Sequence, residues 1–485
     1  MSGSEGTEPE HVVVLHRWRG DHARYAAYLD HRAHRVTYVT TELGRTSVPE
    51  DAAGVRVVGA TDDPVETRTA VAELIGRFGP ASRLMALNEG DLDNAAALRV
   101  AFGLPGQTPA ELERFRDKLA MVRLVDAAGV RVPDYADADT ADDVRAFAGR
   151  HGWPVVVKPR RGTASRGVLL LHTEEELDAH AGIFLPDRHE PRIVQSFVAD
   201  PVLHVDGLWT GDALGAWRVS RYVNNCEEFT KGSYLGSVEV DDPELLGPLG
   251  GFTAAAAEAL GDGRPWVFHM ELFLGRASDG TPRPVFLEAG ARVGGGEIPF
   301  VWREVHGLDL MSAAADIQLG RRPAVAVVGP EPASGPDSAS GPDPASGTGP
   351  ASGTGPASGT GPASGTGPAS GTGPASGTVT APAREATPAQ EATPAGGHAT
   401  AGWLLLPLPV PPPCEVTAVA WATAAGEDGP YAQVVPGPGD VIPAVGGYEH
   451  VAARFRFRGA SSDSVEAAIR KTAESFAMSC RPRPC

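Results

Sequence analysis

From Gly329 to about Gly397 the chain consists almost entirely of Pro, Ala, Ser, Gly and Thr, with PASGTG repeated in tandem from Pro344. This run decides where a fold can form. It has almost no apolar side chain larger than alanine, so burial cannot offset the entropy lost on ordering. Its glycines do not recur at every third position, as a collagen helix requires. Repeats with nothing to bury do not stack into a solenoid. The run is expected to be a disordered insertion between a long foldable block and a short one.

The block before it alternates strand-like and helix-like segments. HVVVLH at His11, RVTYVTTE at Arg35 and GVRVVGA at Gly54 have the length and apolar content of strands, and DHARYAAYLDHR and DDPVETRTAVAELIGRFG have helical spacing. Such alternation predicts a small parallel α/β lobe over 11–103, after a polar start at 1–10. A strongly helical stretch follows, PAELERFRDKLAMVRLVDAAGVRVPDY, with Gly129 and Pro133 as its stop signals. Strand and helix candidates continue to about Leu319, which places a second domain at 104–328 and the insertion at 329–400. Order is expected to return as a β-rich unit with a closing helix at 401–479, then a short tail at 480–485. That unit is either a separate domain on a linker or the displaced end of the main domain.

A net charge of −19 argues against nucleic acid as a partner but leaves room for a small anion in a local positive pocket. The opening residues lack the apolar core of a signal peptide, and the apolar run from Trp403 is short and broken by prolines. A cytoplasmic protein with no membrane partner is therefore expected. Cys226, Cys414, Cys480 and Cys485 are too scattered for a disulfide framework or a zinc site, and the last two are expected as inert thiols in a frayed end. Only four of the 42 basic residues are lysines: Lys118, Lys158, Lys231 and Lys471. In a chain that otherwise uses arginine, a retained lysine either marks a site that needs a compact charge on a flexible stem or is there by chance.

One of these lysines lies in VVVKPRRGTASRGVLLL, from Val155 to Leu171. Gly162 and Gly167 have the separation of a Walker loop, but Val168 and Leu169 follow where Lys and Ser or Thr are required. The lysine stands before the glycines, on the strand. The expected geometry is a hairpin in which Thr163, Ser165 and backbone N–H groups close over phosphates while Lys158 reaches them from below. A solvated basic hairpin is the bland alternative. A second constellation, VFHMELFLGRASDGTPRPVFLEAGARVGGG, puts two strand candidates around the turn signal Asp279-Gly280. A hairpin centred there sets Glu271 directly opposite Glu288. Two like charges so placed repel each other unless a divalent cation lies between them, and oxygen ligands suit Mg²⁺; with a slipped register, two unrelated solvent-facing glutamates are the bland alternative. His269 shares that face and is expected to be a satisfied structural histidine. Arg292 and the glycines to Gly296 supply a fixed cation and closely approaching backbone.

With these residues in view, the chain resembles the ATP-grasp superfamily, in particular its carboxylate–amine ligases, over roughly Leu104 to Leu319. The resemblance implies an α/β fold: an N-terminal parallel lobe, central and C-terminal ATP-grasp subdomains, and the disordered insertion. DKLAMVRLVDAAGVRVP resembles the family's Asp-Lys helix and PVVVKPRRGTASRGV its lysine strand and glycine loop, which implies Lys118 and Lys158 as nucleotide lysines. RIVQSFV resembles the adenine hinge, implying contacts from Gln195, Phe197 and Val198; the family's acidic ribose contact is not evident, Val202 or His204 standing at its place, with His204 or Asp206 as the candidate substitutes. HMELF and FLEAGAR resemble the metal-bearing strands, implying Glu271 and Glu288 as ligands of Mg²⁺ or Mn²⁺ and Arg292 as the acyl-phosphate clamp. Ser196 and Gly290 depart from the pattern; the family often carries an acid and an asparagine there.

The activity so implied is ADP-forming ligation: ATP activates a carboxylate as an acyl phosphate, and an amine displaces phosphate. Lys158 and Arg292 are the catalytic candidates, the partners are small-molecule carboxylate and amine substrates, and a homodimer is compatible with this reading. One alternative is a biotin-carboxylase-like component. It wants a biotinyl lysine, and neither Lys231 nor Lys471 has the flanking methionines of a carrier. The other alternative is a non-catalytic ATP-binding module. Polar stretches at His16, Asn88, Phe229 and Trp302 lie at plausible lobe edges and are candidates for substrate contact.

Overall fold

A computed structural model describes residues 9–162, 166–185, 190–224, 228–229, 231–323, 400–421, 429–444 and 451–484. The insertion expected at 329–400 lies outside them except for its last residue.

The first lobe follows from its alternation. It comprises β1 (His11–His16), α1 (Tyr25–Tyr28), β2 (Arg35–Thr40), β3 (Gly54–Val57), α2 (Pro64–Phe78), β4 (Arg83–Ala86) and α3 (Leu92–Phe102). The sheet order is β3-β2-β1-β4 with all pairings parallel. Successive residues of β1 are buried on opposite faces, as a strand covered on both sides requires: Val13 and Leu15 pack with Val71 and Leu74, Val12 and Val14 with Tyr38 and Leu310. The helix expected over DHARYAAYLDHR shrinks to the four residues of α1. Asp30 stops it by accepting bonds from the backbone N–H groups of Arg32 (2.9 Å) and Ala33 (3.1 Å).

The helical stretch beyond divides into α4 (Pro109–Arg116) and α5 (Lys118–Ala127). Asp117 makes the break, because its side chain accepts from the N–H groups of Leu119 (2.9 Å) and Ala120 (3.0 Å) and so caps a new helix. Lys118 thereby becomes the first residue of α5. A four-stranded sheet follows, built from β5 (Tyr135–Asp137), α6 (Ala141–His151), β6 (Val155–Pro159), β7 (Leu169–Leu171), α7 (Glu174–Ala179) and β8 (Arg192–Ser196), in the order β5-β8-β6-β7. Strands β6 and β7 form the expected hairpin around the glycine loop, Val155 facing Leu171.

The large sheet contains β9 (Val202–Trp209), β10 (Leu214–Asn224), β11 (Leu235–Glu239), β12 (Trp266–Arg276) and β13 (Pro282–Gly290). It is backed by α8 (Pro243–Gly261) and leads into α9 (Ile298–His306) and α10 (Leu310–Gln318). After the insertion come β14 (Thr400–Pro407), β15 (Cys414–Ala420), β16 (Ala432–Val434), β17 (Val441–Ile442), β18 (Val451–Gly459), α11 (Ser462–Ser475) and β19 (Ala477–Pro482). Strand β14 pairs antiparallel with β11, Ser237 facing Trp403. The sheet therefore has eight strands, β13-β12-β9-β10-β11-β14-β18-β16, drawn from both sides of the insertion. Of the two readings for residues 401–479, this pairing supports the displaced end of the main domain.

The last residues also differ from expectation. Strand β19 pairs with β15 and carries Cys480 onto the strand beside buried Cys414, both as free thiols, so Cys480 does not lie in a frayed end. Cys226 and Cys485 lie outside the described residues.

Candidate active site

Glu271 and Glu288 face each other across β12 and β13. The register reaches this pairing through a defect. Nearer the turn Arg276 faces Pro282 and Leu272 faces Phe286, and a one-residue bulge beside Glu271 then restores the opposition of the two carboxylates. On the other side of β12, Glu271 faces His204 of β9. Glu288 lies 3.2 Å from the Lys118 ammonium, which also donates to the Gly162 carbonyl at 3.0 Å. Burial opposes ionisation of Glu288, but the charges of Lys118 and Lys158 outweigh it and hold its carboxyl below the usual range.

Lys158 is 5% exposed, and the described residues give its ammonium no hydrogen bond or close ion pair. Burial pulls its pKa down to about 8; Lys118 adds to the fall, while Glu288 and Glu271 resist it. A buried lysine in this state is costly unless an anion joins it. On β8, Gln195 faces Val156 and so shares a sheet face with Lys158, and its buried side-chain Nε2 finds no partner among the described residues. An ammonium short of counter-charge and an orphaned amide donor on one face fit a ligand that brings both an anionic group and a separate hydrogen-bond acceptor.

The loop beneath is anchored at its base. Arg160 pairs with Asp117 at 2.7 Å, and Arg161 pairs with Glu113. Gly162 and Gly167 both take positive φ, 137° and 71°, which only glycine adopts without strain. Thr163 and Ser165 lie outside the described residues. Phe197 is exposed, and its backbone N–H donates to the Pro154 carbonyl at 3.4 Å; Val198 follows it, half-buried.

Arg292 donates to Glu89 at 2.9 Å, and Arg116 donates to the same carboxylate at 2.8 Å. Burial works against the charge of Glu89, and the two guanidinium groups overcome it. Glu89 belongs to the NEGD stretch after β4, so the first lobe reaches Arg292, just beyond β13, through this residue. Sequence reading gave the stretch a lobe-edge position without singling out Glu89. On the ligase reading that the sequence resemblance implies, Glu89→Ala is expected to lower turnover by up to about 10²-fold, because Arg292 loses its orientation, while leaving the ATP KM nearly unchanged. Steady-state ADP release measures both.

The reading of His204 or Asp206 as a ribose contact is revised by their surroundings. Both are buried in β9, and the two ring nitrogens of His204 lie 2.7 Å from Asp206 Oδ2 and 2.7 Å from Ser237 Oγ. Neither nitrogen is left for a ribose. Asp206 Oδ1 lies 2.8 Å from His269, which is satisfied as expected. One carboxylate thus bridges two imidazoles, and they hold it ionised far below its ordinary range against the cost of burial. Tyr222, which sequence reading missed, donates its hydroxyl to Glu271 Oε1 at 2.6 Å.

No protein-family model matches the chain. Among curated proteins it is 39% identical over 105 residues to an uncharacterised protein of Sinorhizobium fredii, y4rH, covering 21% of this chain and 22% of that one. It is 23% identical over 284 residues to an L-arginine-specific L-amino acid ligase of Bacillus subtilis, covering 56% of this chain and 66% of the relative. The chain thus spans less than two thirds of the length of these relatives. Among solved structures, an L-amino acid ligase from Bacillus licheniformis superimposes with a TM-score of 0.61 at 15% identity, covering 98% of this chain and 99% of that one. The chain has the ATP-grasp fold. A biotin carboxylase from Campylobacter jejuni superimposes comparably, with a TM-score of 0.58 at 13% identity, covering 98% of this chain and 92% of that one. No helix among the described residues is long and apolar enough to cross a membrane.

Proposed function

We propose that the chain is an ADP-forming ligase that uses ATP to activate a small carboxylate as an acyl phosphate and joins it to an amine. The observation that carries this reading is the facing pair Glu271 and Glu288 with Lys118 and Lys158 beside it. Lysines alone would serve to hold phosphate. Opposed carboxylates in addition suit phosphoryl transfer, where the charge of a polyphosphate has to be neutralised by a cation.

In this mechanism Lys118 and Lys158 engage the nucleotide phosphates, and Lys118 gives up its bond to the Gly162 carbonyl in doing so. Glu271 and Glu288 would hold Mg²⁺, which supplies Lewis-acid neutralisation of the transferring phosphoryl group. Gln195, Phe197 and Val198 line the adenine side. Arg292, aimed by Glu89, steadies the acyl phosphate while the amine attacks. The glycine loop excludes water that would otherwise hydrolyse the intermediate. Amino acids are the substrate class to test first, since two of the similar proteins are named as L-amino acid ligases.

The test is ADP release with Mg²⁺ and pairwise combinations of amino acids, followed by mass analysis of the product. Release that depends on one acid–amine pair and yields an amide is expected. ATP binding without stimulation by any pair would leave a non-catalytic module. Stimulation by bicarbonate with free biotin would leave a carboxylase component.

A further inference from the structure

We propose that Tyr222 is a positioning residue for the metal-binding carboxylate Glu271. The inference rests on the reading of Glu271 as a metal ligand. Tyr222 belongs to β10, and β9 lies between it and β12. It shares the polar face of the sheet with His204 and Glu271, since Ser220 faces His204 and His204 faces Glu271. Its ring lies over the His204 imidazole at a centroid distance of 5.0 Å, and its hydroxyl reaches across β9 to Glu271 Oε1 at 2.6 Å.

The support beneath Tyr222 is rigid. Asp206 and Ser237 fix both nitrogens of His204, and His269 holds the other oxygen of Asp206. A Cβ on Gly294 would collide with Asp206 and His269, so the backbone two residues after Arg292 rests on the same cluster. Tyr222 therefore transmits a fixed platform to one oxygen of Glu271. Without that bond, the carboxylate would be free to turn about its terminal torsion, which is broad for glutamate. A hydrogen bond to a ligating carboxylate sets its orientation, and loss of such a partner typically costs 10–100-fold in metal affinity.

Tyr222→Phe deletes the hydroxyl alone and leaves the ring on His204, so the fold has no cavity to absorb. The probe is Mn²⁺, titrated against the protein with saturating ADP and followed by the electron paramagnetic resonance of the free ion. Mn²⁺ affinity is expected to fall about 10-fold or more, with metal-free ADP affinity unchanged. Wild-type Mn²⁺ affinity in the variant would overturn the inference. So would an equal loss in metal-free ADP binding, which marks general distortion. Glu271→Gln distinguishes the premise: if it leaves Mn²⁺ affinity untouched, the ligand reading itself fails, whatever Tyr222 does.

Discussion

Glu288→Gln is expected to cut ADP release about 10³-fold, roughly 4 kcal/mol in the barrier, with little effect on thermal stability. Glutamine keeps the size and one acceptor oxygen, so the pairing of β12 with β13 should persist. What disappears is one of two opposed charges and the counter-charge nearest to Lys118 and Lys158. The variant should therefore separate two properties. Metal-dependent turnover collapses, because a single carboxylate at Glu271 holds a divalent ion poorly. Metal-free ADP affinity is maintained or rises, because the Lys118 ammonium is released from its 3.2 Å contact with Glu288 and becomes available to phosphate. Calorimetric ADP binding with and without Mg²⁺, beside steady-state ADP release, measures both. A variant that turned over normally would remove Glu288 from the reaction and with it the argument for phosphoryl transfer.

What the sequence made legible is what periodicity and local chemistry encode. Apolar runs separated by helical patterns gave the parallel lobe, and Asp279-Gly280 gave the hairpin that opposes Glu271 to Glu288. Even there the bulge beside Glu271 was invisible, since one extra residue leaves no mark on composition. Lys158 could be read because its place before the glycines is a linear fact. Glu89 and Tyr222 could not be singled out. Glu89 meets Arg292 across more than two hundred positions, and an aromatic residue in an alternating strand reads as core. His204 looked available because Ser237 meets it only once β9 and β11 flank β10, which leaves Asp206, two residues along the same strand, to take its other nitrogen. The break at Asp117 was hidden for a related reason: a cap inside a helical pattern becomes visible only when its backbone partners are known. The pairing of β11 with β14 bridges residues 324–399, and no local signal spans such a gap.

Lys158→Met is the second large effect, and its two halves have opposite signs. Methionine keeps an apolar stem of similar length but brings no charge into the fold. Burial holds the Lys158 pKa at about 8, below the ordinary value near 10.4 that it has in an unfolded chain. Because the folded pKa is depressed, the unfolded chain binds more protons between roughly pH 8 and pH 10.4, and stability rises with pH across that window. Below about pH 8 the full penalty applies, on the order of 3 kcal/mol. The methionine variant is thus expected to melt at a higher temperature than the parent at pH 7 in the absence of nucleotide. Its ATP affinity should nevertheless fall about 10²-fold, since a desolvated charge on the phosphates is lost. The parent carries a matching signature. Above about pH 8 the free protein loses the Lys158 charge, so ATP affinity declines and binding is accompanied by proton uptake. Calorimetry in two buffers of different ionisation heat reads that uptake directly, and it should vanish in the methionine variant. A fold that keeps a destabilising buried ammonium on the same face as a glutamine donor without a partner among the described residues is arranged for a ligand that satisfies both.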